Sequence, residues 1–158
     1  MRSVRGEELL KIVRIMDNYM NNTSVILLFE VAGKKFLFPG DAQIENWEYA
    51  LKDEKQKEKT RELLKDTFLY KVGHHGSRNA TPQTLWKMFE NKDEADGDPA
   101  RLKTLMSTMK DNMHSGKGVN SEVPRKTLVT ELRKKSDYHT TETAWKEGKI
   151  CVELEIPL

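Results

Sequence analysis

The octapeptide Lys71-Val-Gly-His-His-Gly-Ser-Arg78 stands where a short apolar run gives way to a turn. The run itself, Thr67–Val72, is rich in aromatic and aliphatic residues and predicts a buried strand. Gly73 and Gly76 flank the two histidines and allow the backbone to bend sharply there. Histidine is the commonest metal ligand and titrates near neutral pH, so the pair indicates a functional loop, although paired histidines also occur on ordinary surfaces.

A second strand-like run ends in a similar way. Lys34–Phe38 is followed by Pro39-Gly40-Asp41, and ligands in layered α/β folds bind at the carboxyl ends of strands. Aspartate also favours simple turns, because its carboxylate accepts hydrogen bonds from nearby backbone N–H groups. Taken together, the two strand ends predict one shared site.

Three segments carry a family resemblance. They read Asn21-Asn-Thr-Ser24, Phe36-Leu-Phe-Pro-Gly-Asp-Ala42 and Leu69-Tyr-Lys-Val-Gly-His-His-Gly-Ser77. They resemble the second half of a metallo-β-lactamase-fold hydrolase, in particular the branch that includes the hydrolase domain of bacterial DNA-uptake channel proteins. The resemblance implies an α/β fold in which residues 1–158 form one domain. That domain would be half of a four-layer αββα sandwich, with a mixed sheet and flanking helices.

The resemblance also implies a metal site. In that family the aspartate of the Gly-Asp motif bridges two zinc or manganese ions, and a histidine of His-His-Gly-Ser ligates one of them. Asp41 matches the bridging position, and either His74 or His75 matches the terminal ligand. A carboxylate suits a bridge because it has two oxygens and a full negative charge, and a neutral imidazole suits a terminal position.

Three further polar residues near the histidines are predicted to contact a substrate or a metal ligand: Lys71, Ser77 and Asn79. Each also has an ordinary explanation. Serine and asparagine stabilise loops through hydrogen bonds to the backbone, and a lysine at the end of a strand is usually solvated.

The principal metal-binding motif of that family, His-x-His-x-Asp-His, is absent. The histidines are His74, His75, His114 and His139, and no pair of them has the required spacing. Zinc sites take three or four protein ligands, so we expect the carboxyl-terminal half of a hydrolase whose site this chain does not complete. The expected function is metal-dependent hydrolysis of a phosphodiester or related ester bond. The alternative is a non-catalytic interaction or scaffold module derived from that fold.

If the amino-terminal half of the fold is missing, this chain is expected to have a protein partner. Strands Ser24–Val31, Lys35–Phe38 and Thr67–Val72 would lose the sheet that covers their inner side. That side would carry Val25, Leu27, Phe29, Phe36, Phe38, Phe68 and Tyr70. We therefore expect a complementary amino-terminal half, or a homo-oligomer through the exposed sheet face.

The amino-acid composition limits which partners and cellular locations are expected. The formal net charge of +2 predicts no broad basic face, so nucleic acid is expected only as a substrate. The single cysteine, Cys151, excludes an intrachain disulfide and favours a reducing cytoplasm. Residues 1–16 have the spacing of an amphipathic helix, and neither a secretory signal nor a membrane span is predicted.

The remaining pattern predicts an alternation of helices and strands. Trp47 is expected in the core, on a helix over Gln43–Leu51, and Lys52–Glu62 reads as a solvated helix or loop. A further helix is predicted with Thr81 as its cap and Pro82 in its first turn, and another over Pro124–Lys135. Further strands are predicted over Leu102–Thr108 and, around a charged turn, over Tyr138–Thr141 and Lys149–Ile156.

The start of the chain and the two remaining histidines carry further expectations. Ala32-Gly33-Lys34 is predicted to turn Ser24–Val31 antiparallel into Lys35–Phe38. His114, in a polar loop, is expected to be solvated, and His139 is expected to be structural or exposed.

Overall fold

The computed structural model describes residues 23–108 and 123–156, and the predictions for residues 1–22 and for His114 lie outside them. Five strands form one sheet in chain order. They are β1 (Leu27–Val31), β2 (Lys34–Phe38), β3 (Thr67–Val72), β4 (Lys103–Met106) and β5 (Asp137–Thr140). β1 pairs with β2 antiparallel, and the other neighbours are parallel. The predicted α/β class and the mixed sheet are confirmed.

Five α-helices accompany the sheet within the described residues. They are α1 (Ile44–Lys52), α2 (Glu54–Leu64), α3 (Gln83–Met88), α4 (Lys126–Lys135) and α5 (Thr141–Lys146). Single 3₁₀ turns lie at His74–Gly76 and Asn91–Asp93. Of the helices in these ranges, none combines the length and apolar character needed to cross a membrane.

The β1–β2 connection is the predicted antiparallel hairpin. Its two central residues, Ala32 and Gly33, have φ values of 50° and 75°. Positive φ at both positions is typical of the tight turns whose twist matches that of the flanking strands. The first strand starts at Leu27, three residues after the predicted Ser24.

The hydrophobic core lies on one face of the sheet, which we call the helix-covered face. Tyr70, Val72 and Met106 from the strands pack there against helix residues such as Trp47 and Leu85. The core position predicted for Trp47 is confirmed. The placement predicted for Tyr70, on a face awaiting a second sheet, is wrong. Its ring lies in this core, and its hydroxyl is 2.9 Å from Thr81 Oγ1.

The opposite face carries a second set of apolar side chains, and we call it the aromatic face. It comprises Leu27, Phe29, Val31, Phe36, Phe38 and Phe68. Phe29 packs edge-on against Phe38 with ring centroids 5.7 Å apart, and Phe36 packs against Phe68 at 6.0 Å. Leu27, Phe29 and Val31 are 45%, 49% and 53% exposed.

Phe68 departs from the predicted exposure, since it is buried. The β2–β3 pairing shifts register between Lys35 and Phe36, which leaves Phe68 as the extra residue of a bulge. Lys34 Nζ and Lys103 Nζ lie 5.1 Å and 4.6 Å from the centroid of its ring. These two lysines cover the ring and shield it from solvent.

The predicted closing strand, Lys149–Ile156, is wrong. Residues 151–156 have no regular secondary structure, and Ile150 is 97% exposed. Thr140 Oγ1 accepts a hydrogen bond from the Glu142 backbone and caps α5, where a turn between strands was expected. Alternation of apolar residues specifies which way side chains would point, but it does not supply a partner strand.

The start of α3 also differs from the prediction. Pro82, expected in the first turn, occupies the cap position, and α3 begins at Gln83. Thr81, the predicted cap, pairs its hydroxyl with Tyr70. A buried phenol needs a hydrogen-bond partner, and Thr81 provides it here.

Candidate functional site

The loops that follow β2, β3 and β4 meet at the carboxyl edge of the sheet, because these strands are parallel. The β2 and β3 loops are in direct contact. A Cβ atom added to Gly73 would lie 2.7 Å from the Gly40 carbonyl oxygen and 3.3 Å from Pro39 Cγ. Only glycine permits this approach. The segment leading to Asp41 therefore packs against the segment leading to the histidines.

The histidine loop has an unusual backbone. His74, His75 and Gly76 have φ values of 41°, 52° and 76°, so three consecutive residues are in the left-handed region. The loop is closed by hydrogen bonds from Gly76 N to Gly73 O, at 2.9 Å, and from Ser77 N to His74 O, at 3.0 Å. Left-handed backbone costs a non-glycine residue roughly 1–2 kcal/mol. Strain of this kind clusters at functional sites.

His75 is held by the end of the next strand. Its Nδ1 lies 2.7 Å from the carbonyl oxygen of Ser107. A carbonyl can only accept a hydrogen bond, so Nδ1 carries the proton and the lone pair of neutral His75 is on Nε2. Metal-ligating histidines commonly have their second ring nitrogen fixed in this way. No local pattern predicts the contact between His75 and Ser107, because the two residues are 32 positions apart in the chain.

His74 has a different environment. Its Nδ1 is buried and has no hydrogen-bond partner in the part of the chain that the structure describes. A buried polar atom without a partner costs about 1–3 kcal/mol. The two histidines thus differ: one is oriented by a carbonyl, and the other has a buried nitrogen for which the described residues provide no partner.

Asp41 and Lys71 share this edge of the sheet. Asp41 is exposed in the turn after β2, and Lys71 is partly buried near the end of β3. Burial lowers the pKa of Lys71, and the negative charge of Asp41 opposes that shift. Lys71 lies opposite Leu105 in the sheet register, on the same side as the aromatic face. The candidate site therefore adjoins that face.

The other two predicted contacts lie farther along the loop. Ser77 Oγ is buried, and the described residues offer it no hydrogen-bond partner. Asn79 is exposed in the turn that follows. Ser77 thus belongs to the packed part of the loop, whereas Asn79 faces solvent.

The donors at this edge do not complete a metal site by themselves. Among residues 23–108 and 123–156, no group of three or more histidine, cysteine, aspartate or glutamate side chains is arranged to hold a metal ion. His139, expected to be structural or exposed, lies on β5 opposite Leu105 and is partly buried. The fit to a metal is thus partial: Asp41 and the histidine pair offer suitable donors, but fewer converge than a zinc site needs.

Comparison of the chain with protein-family models, curated proteins and solved structures gives no significant match.

Proposed function

We propose that this chain is the carboxyl-terminal half of a metal-dependent hydrolase of the metallo-β-lactamase type. Its substrate would contain a phosphodiester or a related ester bond. In this proposal Asp41, together with His74 or His75, would hold zinc or manganese ions, which would supply an activated water for the hydrolysis. The observation that carries the proposal is the contact between Gly40 and Gly73, which packs the Asp41 loop against the histidine loop.

The orientation of the histidines supports the same assignment. The Ser107 carbonyl fixes the proton of His75 on Nδ1, so Nε2 is the atom that could bind a metal. The left-handed backbone at both histidines lowers the stability of the fold, and such strain is typical of functional loops. These features favour a functional loop over an ordinary turn.

The described residues supply too few metal ligands, so the proposed site needs ligands beyond them. A bound metal lowers the pKa of coordinated water to about 7 and makes hydroxide available at neutral pH. The proposed source is a complementary amino-terminal half or a second copy of this chain. Its sheet would pack on the aromatic face, which the candidate site adjoins.

A non-catalytic interaction module is the second candidate function. The exposed apolar residues of β1 favour it, since a protein-binding surface needs such residues whether or not a metal is present. In that case Asp41 and the histidines would be a remnant of the fold. The two candidates differ in metal binding and in turnover.

Metal titration of the full chain separates them. We expect weak zinc binding that Asp41→Asn and His75→Gln each reduce at least tenfold, and little hydrolysis of a chromogenic phosphodiester. Glu58→Gln, an exposed position on α2, is the matched control and should leave zinc binding unchanged.

Two outcomes would contradict the proposal. Zinc affinity equal in the wild type and in both variants would remove Asp41 and His75 from the site. Rapid turnover by the lone chain with two tightly bound ions would show that the site is complete. Turnover that appears only after addition of a segment carrying His-x-His-x-Asp-His would favour the hydrolase over the interaction module.

A further inference from the structure

A cleft of about 600 Å³ lies between α3 and α4. Its lining includes Ser77 and several basic side chains: Arg78, Lys87, Lys92, Arg125 and Lys135. A backbone hydrogen bond of 2.9 Å from Arg125 N to Gly76 O joins the start of α4 to the histidine loop. One end of the cleft therefore lies near the histidine loop, and we call it the loop end.

At the opposite end of the cleft, the lysines form ion pairs with carboxylates. Lys135 Nζ lies 3.2 Å from Asp93 and 3.7 Å from Glu131, and Lys92 Nζ lies 3.8 Å from Asp93. Glu131 also accepts a hydrogen bond from the Trp86 indole. These carboxylates offset the positive charge there, so an anion gains little at that end.

The loop end keeps its positive charge. Arg78 and Arg125 have no carboxylate within 4 Å in the described part of the chain, whereas the lysines at the far end do. Arg125 Nε donates to Thr127 Oγ1 at 2.9 Å, which orients the guanidinium. Arg125 also caps α4 without a side-chain hydrogen bond to its first-turn N–H groups. Guanidinium groups and a helix amino terminus both favour phosphate.

We propose that the loop end of this cleft binds the phosphate group of a small phosphate monoester, with Arg78 and Arg125 as its charged contacts. A monoester is favoured because it carries up to two negative charges, which match the two guanidinium groups of Arg78 and Arg125. The cleft volume is in the range of small-molecule sites, about 300–1,000 Å³. A long nucleic acid would need a continuous basic track, and the lysines at the far end are already paired. This site adjoins the histidine loop of the proposed metal site through Ser77 and Gly76, but phosphate binding to the two arginines does not require a metal.

The test is a titration of the full, metal-free chain, followed by amide NMR or calorimetry. The probes are inorganic phosphate, a nucleoside monophosphate and the unphosphorylated nucleoside. We expect saturable binding of both phosphates, with shifts at Ser77, Arg78 and the first turn of α4, and no binding of the nucleoside. Arg78→Gln and Arg125→Gln should each weaken phosphate binding about tenfold. Lys57→Gln, an exposed lysine on α2 outside the cleft, should leave it unchanged.

Three results would overturn the proposal. One is the absence of saturable phosphate binding at millimolar concentration. Another is an equal affinity in the wild type and in Arg78→Gln. The third is binding of a single-stranded oligonucleotide without binding of either small phosphate, which would make the cleft part of a nucleic-acid surface. If Arg125→Gln unfolds, the exposed Arg78 decides the matter alone, and circular dichroism identifies that case.

Discussion

The two faces of the sheet are both apolar, but the cluster of buried helix and strand side chains lies on only one of them. On the helix-covered face Leu37 and Tyr70 are fully buried. On the aromatic face Leu27 and Phe29, which belong to the neighbouring strand, are about half exposed. The sequence therefore specifies a sheet with two hydrophobic sides, and within the described residues the most exposed part of the aromatic face is the edge strand β1, whereas Phe68 on the same face is buried.

This difference indicates what the sheet is built for. Sheets with parallel strands are usually buried on both faces, and β2 to β5 are parallel. An exposed apolar surface on such a sheet is typical of a surface that another layer covers. The candidate site adjoins this face, so a second layer would contribute residues next to Asp41 and the histidines.

The largest expected effect comes from truncating a leucine on each face. Leu37→Ala removes a fully buried side chain and should lower the free energy of unfolding by about 2–5 kcal/mol. Leu27→Ala removes a side chain that is already 45% exposed and should cost less than about 1 kcal/mol. Urea denaturation of both variants measures the difference. Equal losses would mean that the aromatic face is covered as well as the helix-covered face.

A smaller effect on stability, of opposite sign, is expected in the histidine loop at the carboxyl edge of the sheet. His74→Gly removes a left-handed histidine and a buried nitrogen without a described partner, so it should raise the free energy of unfolding by about 1 kcal/mol. Asn79→Gly is the control, since Asn79 lies in the same loop region without a positive φ, and it should not stabilise the chain. A loss of stability in His74→Gly would show that the imidazole has a structural role.

The smallest expected effect is on the pH dependence of stability, through His139 on β5. Burial lowers the pKa of His139, an effect that Asp137 opposes and Lys103 reinforces. The unfolded chain therefore takes up a proton at a higher pH than the folded chain, and stability falls as pH drops through about 6.5. His139→Gln should reduce that loss between pH 7.5 and pH 5.5, as measured by urea midpoints. An unchanged pH dependence would indicate that His139 titrates as it does in water.

Local patterns were enough to predict much of the fold. The run Thr67–Val72, the hairpin at Ala32–Gly33 and the core position of Trp47 each depend on residues within one element, and all three are confirmed. The contact between the Gly40 and Gly73 loops is consistent with two parallel strands that both end at a glycine.

Features that depend on distant partners were not predictable. Phe68 is buried by a bulge and two lysines, and Lys149–Ile156 lacks the neighbour that its alternation would need. Arg101 is buried because its guanidinium donates to the carbonyls of Glu94 and Lys134. The Lys134 carbonyl is 33 residues from Arg101, so the local sequence does not predict that contact. The same holds for the contact of His75 with Ser107.

Sedimentation of the purified chain at tens of micromolar tests most directly whether the aromatic face is built for a second layer. We expect self-association through this face, and we expect Phe29→Glu to shift the chain towards monomer, because a buried carboxylate without a partner is costly. A complementary half added in excess should compete with self-association. A stable monomer, with no change in Phe29→Glu, would show that the chain needs no second layer and would contradict the half-fold account.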